Sequence, residues 1–341
     1  MDLRTSIEAI TLKTLMGLPE RVQRLLAGRT VDIDGQRLDT DVQLMLRLQQ
    51  VARVKGSEEL PLAEGRAQMV RTAGLVRGHQ PVGAVRDLEV AGLPARHYLP
   101  TGLADGPGPV LLFFHGGGFL YGDLDSHDGP CRVLAEQSGV PVLSVAYRLG
   151  PEAAFPTAFD DAEAAHRWVV DHAEELGVDP QRIAVGGDSA GGNLAAWVAI
   201  AAARGGVPLA WQLLVYPCTF PERDTASLRL FGEGLYLTRE FIDTANSVYL
   251  PTELERKDER VALLGAELPA GLAPAYVVTA GFDPLRDEGE QYAARLEAEG
   301  HAVEVERRPG QIHGFLNIVG VGRSSRAAVD RIAERLGDAL A

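Results

Sequence analysis

Residues 185–194 read VGGDSAGGNL, a serine hemmed in by four glycines and an alanine. Glycine inside a regular element costs about 0.5–1 kcal/mol relative to alanine, so such a crowd needs a reason. The run Arg182-Ile183-Ala184-Val185 before it reads as a short buried strand. Asn193-Leu194-Ala195-Ala196-Trp197-Val198-Ala199-Ile200 after it is too long and too rich in alanine for a strand and reads as a helix. Ser189 therefore stands at a strand-to-helix turn. Gly187-Asp188-Ser189-Ala190-Gly191 fits G-x-S-x-G, in which a strained turn pushes the serine hydroxyl into the open and flanking glycines avoid collision with the neighbouring strand and helix. With 38 glycines in 341 residues the pattern also arises by chance, so it needs support from the rest of the chain.

Working outward, strands are expected at about 109–114, 140–146, 183–187, 211–216, 275–280 and 302–307. Helices are expected near 127–138, 157–176, 190–203, 286–299 and 323–339. Strand alternating with helix predicts a mostly parallel sheet covered on both faces. Residues 83–99 read as a hairpin around Gly92. From 1 to about 75 the pattern is helical with no strand signal: Asp41 is expected to cap one helix and Pro61 to open another. Residues 218–265 form a second stretch with a helical segment near 240–249 and no evident strand, read as an insertion that folds over the sheet together with the N-terminal helices.

Composition sets the outer limits. Apolar residues at 46% permit a substantial core, and a formal charge of −14 argues against nucleic acid or an anionic membrane as partner, since both demand clustered positive charge. Cys131 and Cys218 have no His or Cys at metal-ligand spacing and read as free thiols. The N-terminal residues lack a basic segment followed by an apolar core, and no stretch reaches the length of a membrane span. A cytoplasmic protein is the expectation.

The apolar run Val110-Leu111-Leu112-Phe113-Phe114 ends in His115-Gly116-Gly117-Gly118-Phe119. Backbone N–H groups in such a loop can converge on one point, where they stabilise the oxyanion formed when a nucleophile attacks a carbonyl. The signatures of phosphate-cradling loops are missing. A serine hydroxyl needs a base, and the base an orienting acid, in the chain order Ser, Asp or Glu, His. Beyond Ser189 only His301 and His313 are available. His301 falls in a turn before a strand; His313 follows the end of that strand and is the better base. Asp283 follows the strand 276–280 and is the preferred acid over Asp287 and Glu288, whose place in the first turn of a helix is explained by the helix dipole.

HGGGF at 115–119, YRLGPEAAFPTAFDD at 147–161, GDSAGGN at 187–193, DPLRDEG at 283–289 and IHGF at 312–315 together resemble the hormone-sensitive-lipase family of α/β-hydrolase esterases. The resemblance runs from about 110 to 315. It implies Ser189 as nucleophile, Asp283 as acid, His313 as base, and an oxyanion hole drawn from the amides of Gly116, Gly117, Gly118 and Ala190, with the inward-pointing members of the glycine run left open. It also implies a helical cap in two parts, 1–75 and 218–265, over a catalytic core of 76–217 and 266–341. Two departures stand out: Gly150 where the family usually has alanine, and Gln311 where methionine often precedes IHGF.

The expected activity is serine carboxylesterase chemistry on short- to medium-chain acyl esters through an acyl-enzyme, with no metal or cofactor. An amidase or peptidase with the same triad, and a non-catalytic binding protein on the same fold, are the competing readings. Tyr121, Glu152, Asp160 and Asp188 are expected to brace loops and not to react. Leu15, Met16, Leu44, Leu235, Tyr236 and Phe241 are the side chains of the cap that could fill either the core or the substrate pocket. No motif marks an oligomer, and a homodimer is what the resemblance allows.

Overall fold

The computed structural model describes residues 3–341, with side chains from residue 8 onward; Met1 and Asp2 of the span read as the first cap segment lie outside the described residues. In chain order the elements are α1 (Leu3–Met16), α2 (Glu20–Ala27), β1 (Asp32–Ile33), β2 (Gln36–Arg37), α3 (Thr40–Val51), α4 (Leu62–Arg77), β3 (Ala84–Val90), β4 (Leu93–Leu99) and β5 (Gly108–Phe114). There follow α5 (Asp128–Ser138), β6 (Val142–Val145), α6 (Thr157–Asp171), α7 (Ala173–Leu176), β7 (Val178–Asp188), α8 (Ala190–Gly205) and β8 (Trp211–Val215). The chain finishes with α9 (Ala226–Phe231), α10 (Arg239–Tyr249), α11 (Glu253–Arg256), β9 (Ala275–Phe282), α12 (Arg286–Ala298), β10 (Val303–Ile312) and α13 (Ser324–Leu340).

Eight strands form one sheet in the order β10-β9-β8-β7-β5-β6-β4-β3. The pairs from β10 to β6 are parallel, and only β3 with β4 and β4 with β6 are antiparallel. Successive side chains of a strand point to opposite faces, and β5 feeds both. Val110, Leu112 and Phe114 join the core beneath α6, α8 and α12, while Leu111 and Phe113 join the core beneath α5 and α13. This is why an unbroken apolar run, and not an alternating one, marks the strand.

Four readings of local structure need correction. The N-terminal span holds a two-stranded hairpin, β1 with β2, turned by Asp34 and Gly35, both at positive φ. An Asp-Gly pair is the usual signal for such a turn, and short flanking strands hid it. Asp41 does not cap α3; Asp39 holds that position, and the Asp41 carboxylate instead accepts the Arg323 and Ser324 amides at the start of α13. The helix expected over 157–176 breaks at His172 into α6 and α7, and β7 begins at Val178, five residues ahead of the apolar run, through a register shift against β5 between Gly108 and Val110.

The segment from 218 to 265 carries α9, α10, α11 and a short 3₁₀ turn, with no strand among the described residues. α3 and the N-terminal hairpin pack at the ends of β9 and β10: Met16, Leu38, Val42, Leu44 and Met45 share a cluster with Phe231, Phe282 and Ile312. Cys131 and Cys218 are free thiols. No helix among the described residues is long and apolar enough to cross a membrane.

Three histidines are buried in the neutral form. Burial pushes His97, His115 and His166 each down to about 4, helped at His97 by the charge of Arg86 and at His115 by that of His127; at His166 the carbonyl of Pro208 opposes the shift. Because their folded pKa values lie below the unfolded one, the unfolded chain binds more protons as pH falls below about 6.5. Their contribution to stability is complete above that pH and is lost as pH approaches 4. Urea midpoints should therefore fall between about pH 7 and about pH 4.5, and a flat profile over that range would contradict the burial of neutral rings.

Candidate active site

Four segments with chemical potential leave the same edge of the sheet. The loop His115–Phe119 follows β5, Ser189 follows β7, Asp283 follows β9 and His313 follows β10. Parallel strands present their carboxyl ends together, so residues far apart in sequence meet there.

Ser189 adopts φ 55° and ψ −119°, outside the regions open to an ordinary side chain, and its amide donates to Val215 O at 2.9 Å. The glycines around it are explained by contact. A Cβ on Gly191 would lie 1.9 Å from Phe114 O, and one on Gly187 would lie 2.3 Å from the Gly191 carbonyl carbon. α8 thus starts directly against the end of β5 with no side chain between them.

His313 Nε2 lies 3.0 Å from Ser189 Oγ, and its Nδ1 lies 2.8 Å from Asp283 Oδ2. Asp283 is fully buried, and its other oxygen accepts the Leu285 amide at 2.8 Å. A carboxylate only accepts, so Nδ1 carries the hydrogen and Nε2 is free to accept from the serine hydroxyl. The rival carboxylates have other partners. Glu288 accepts the amides of Thr219 and Phe220 and pairs with Arg223, and Asp287 accepts the Ser227 amide at 2.8 Å, so both fasten the segment 219–227. His301 precedes β10, at the end of the strand opposite to His313.

In the glycine loop, Gly117 has φ +126° and Gly118 φ +61°, conformations that glycine adopts without strain. The Gly116 amide donates to Asp188 Oδ1 at 2.8 Å and is occupied. The amides of Gly117, Gly118 and Ala190 make no internal hydrogen bond among the described residues. Ala190 opens α8, where the first amides of a helix have no partner within it. Behind the loop the His115 ring stacks on Tyr147 at 4.4 Å, and Tyr147 OH donates to His115 O at 2.7 Å.

The bracing residues differ in part from expectation. Asp188 holds the Gly116 amide, and Glu152 pairs with Arg66, which holds its carboxyl down at about 2. Arg66 also donates to Leu120 O and Gly150 O, both at 2.7 Å, a role with no local sequence signal. Tyr121 OH reaches Ser57 O only at 3.5 Å. Asp160 is exposed and 3.9 Å from Arg260; its neighbour Asp161 is the brace, accepting the Arg148 amide at 2.9 Å and the Arg148 guanidinium.

Ser189 and His313 open onto a cavity of about 360 Å³. Of the six cap side chains singled out in the sequence, Leu235, Tyr236 and Phe241 line it, whereas Met16 and Leu44 are buried in the core and Leu15 is half-buried away from it. Met45, Leu46, Gln49, Met69 and Thr72 complete its wall from α3 and α4. Ser126, His127 and Asn317 edge it too; nothing in the local sequence marks His127 or Asn317, because their partners are distant in the chain.

Residues 111–317 match the α/β-hydrolase fold family. The carboxylic ester hydrolase LipN of Mycobacterium tuberculosis is 42% identical over 96% of this chain and 90% of its own length, and the ethyl acetate hydrolase of Pseudomonas putida is 36% identical over 88% and 98%. Among solved structures, an ester hydrolase from the metagenome of Lake Arreo, complexed with a bipyridine phosphonate derivative, superposes with TM-score 0.84 at 39% identity, covering 87% of this chain and 97% of that one. The esterase of Pyrobaculum calidifontis superposes with TM-score 0.81 at 35% identity over 87% and 99%. The chain belongs to the α/β-hydrolase family, within its branch of bacterial carboxylesterases.

The approach of α8 to β5 can be tested directly. Gly191→Ala puts a methyl group against backbone that cannot retreat and should cost about 3 kcal/mol or more in denaturant unfolding. Unchanged stability would mean that the helix does not sit this close.

Proposed function

We propose that this protein hydrolyses carboxylic esters of short to medium acyl length, with Ser189 as nucleophile, His313 as general base and acid, and Asp283 as the carboxylate that orients His313. The observation that carries this reading is the unbroken line of hydrogen bonds from Ser189 Oγ through His313 to buried Asp283, at 3.0 and 2.8 Å. Its members come from three strand ends, an alignment that packing alone does not require.

In the first half-reaction His313 Nε2 takes the hydroxyl proton as Ser189 Oγ bonds to the ester carbonyl carbon. The carbonyl π pair moves to oxygen, and the oxyanion meets the amides of Gly117, Gly118 and Ala190, each donor being worth roughly 2.7–4 kcal/mol in such sites. Collapse expels the alcohol, which takes its proton from His313. Water then repeats the attack on the acyl-enzyme and frees Ser189. Asp283 stays ionised and stabilises the imidazolium without itself accepting the proton.

The cavity volume of about 360 Å³ lies toward the lower end of the range for small-molecule sites and favours short and medium acyl groups. The cap, in this reading, is 1–75 with 218–265 over a core of 76–217 and 266–341. Two contacts support the division: Thr238 Oγ1 donates to Glu58 Oε1 at 2.8 Å, joining the two parts, and Phe241 lies over Gly118.

Hydrolysis of p-nitrophenyl esters from acetate to palmitate, by wild type and Ser189→Ala in parallel, tests the proposal. Activity should peak at short to medium chains and fall by about 10⁴-fold or more in the variant. Well-folded wild type that turns over no ester would refute the esterase reading, and a maximum at palmitate would refute the chain length.

A further inference from the structure

Asp188 immediately precedes Ser189 and is buried. Its Oδ1 accepts the Gly116 amide at 2.8 Å and faces His127 Nε2 at 3.1 Å; its Oδ2 accepts Tyr216 OH at 3.3 Å. Burial alone would push this carboxyl up, but the charge and hydrogen bond of His127, the Gly116 amide and the charge of His313 bring it below the usual carboxylate range. A carboxylate thus lies beside the loop that receives the oxyanion. In a site shielded from water its charge opposes that of the transition state unless a neighbour offsets it.

His127 lies just ahead of α5 and is itself buried, with its ring 5.5 Å from that of His115. Besides Asp188, its Nε2 lies 3.2 Å from Asn317 Nδ2, and its Nδ1 lies 3.0 Å from Ser126 Oγ. One ring nitrogen cannot donate to a carboxylate and accept from an amide at once. With Asp188 ionised, Nε2 carries a hydrogen, and a half-turn of the Asn317 amide brings Oδ1 to face it.

We propose that His127 is a positioning residue for ester hydrolysis: its Nε2–H holds Asp188, Asp188 holds the Gly116 amide, and this chain aims the next amides, Gly117 and Gly118, at the oxyanion. The inference rests on the reading of Ser189, His313 and Asp283 as the reacting groups. His127 acts through Asp188, so its removal should impair the transition state and leave ground-state binding largely intact.

The test compares His127→Leu, His127→Gln and His127→Leu with Asp188→Asn, each read by kcat, KM and inhibition by an alkyl trifluoromethyl ketone. In that adduct Ser189 Oγ bonds to the ketone carbon, the C–O π pair becomes an oxyanion and the serine proton passes to His313, so its affinity reports on the oxyanion amides. The Leu variant should lose about 10- to 100-fold in kcat at nearly constant KM, with ketone affinity weakened by the same factor. Gln, whose amide can still donate to Asp188, should keep most activity, and Asn at Asp188 in the Leu background should recover a large part by removing the uncompensated charge. If Leu fails to fold, His127→Asn, too short to reach Asp188, takes its place against Gln. Wild-type kcat in a folded Leu or Asn variant, or lost kcat with unchanged ketone affinity, would overturn the role of His127 alone. Wild type that neither hydrolyses esters nor binds the ketone would overturn the triad reading with it.

Discussion

At the start of α8 the backbone of Gly191 comes so near to Phe114 O that no side chain fits between them, and the site is arranged around this contact. It locks a helix onto the end of β5 one residue before His115, so the turn carrying Ser189 and the loop carrying the three glycines are built from the same piece of packing. Close-packed interiors transmit such constraints without slack. The strained φ and ψ of Ser189 persist because strands on either side fix its neighbours: β5 below, and Val215 at the end of β8 alongside.

Around that contact the protein buries charge and pairs it. Asp283 receives an amide and an imidazole, Asp188 an amide, a phenol and an imidazole, and Glu288 two amides and a guanidinium. Losing one partner leaves a buried charge uncompensated, which is why such groups respond so sharply to substitution. The three carboxylates differ in what they fix: Asp283 a side chain, Asp188 a loop, Glu288 the segment that leads away from β8.

The sheet, its order of helices and the line from Ser189 to Asp283 were legible because each rests on a local pattern: an apolar run, a glycine cluster, a histidine just past a strand. What escaped notice was made by pairs distant in the chain. His127 and Asn317 sit 190 residues apart, Arg66 and Glu152 sit 86 apart, and neither pair has a spacing that announces it. Asp41 carried a helix-start signal and was captured by a different helix, since its carboxylate found the bare amides of α13 across the fold. At Asp34-Gly35 the signal was present and the flanking strands were too short to raise it above a helical background. Gln311 is legible in retrospect: noted in the sequence as a departure, its side chain joins Asp39 at 2.7 Å and Ser325 at 2.8 Å.

That bridge ties the end of β10, just ahead of His313, to the residue that opens α3, and α3 supplies Met45, Leu46 and Gln49 to the wall of the cavity. The catalytic strands and the pocket wall therefore come from separate stretches of chain that are fastened together here, as they are where Asp41 accepts the Arg323 and Ser324 amides. Such an arrangement lets a lineage change what the pocket admits by altering the side chains that α3 and α4 turn toward the cavity while the sheet edge stays fixed. The fastenings at Gln311 and Asp41 mark where that freedom ends.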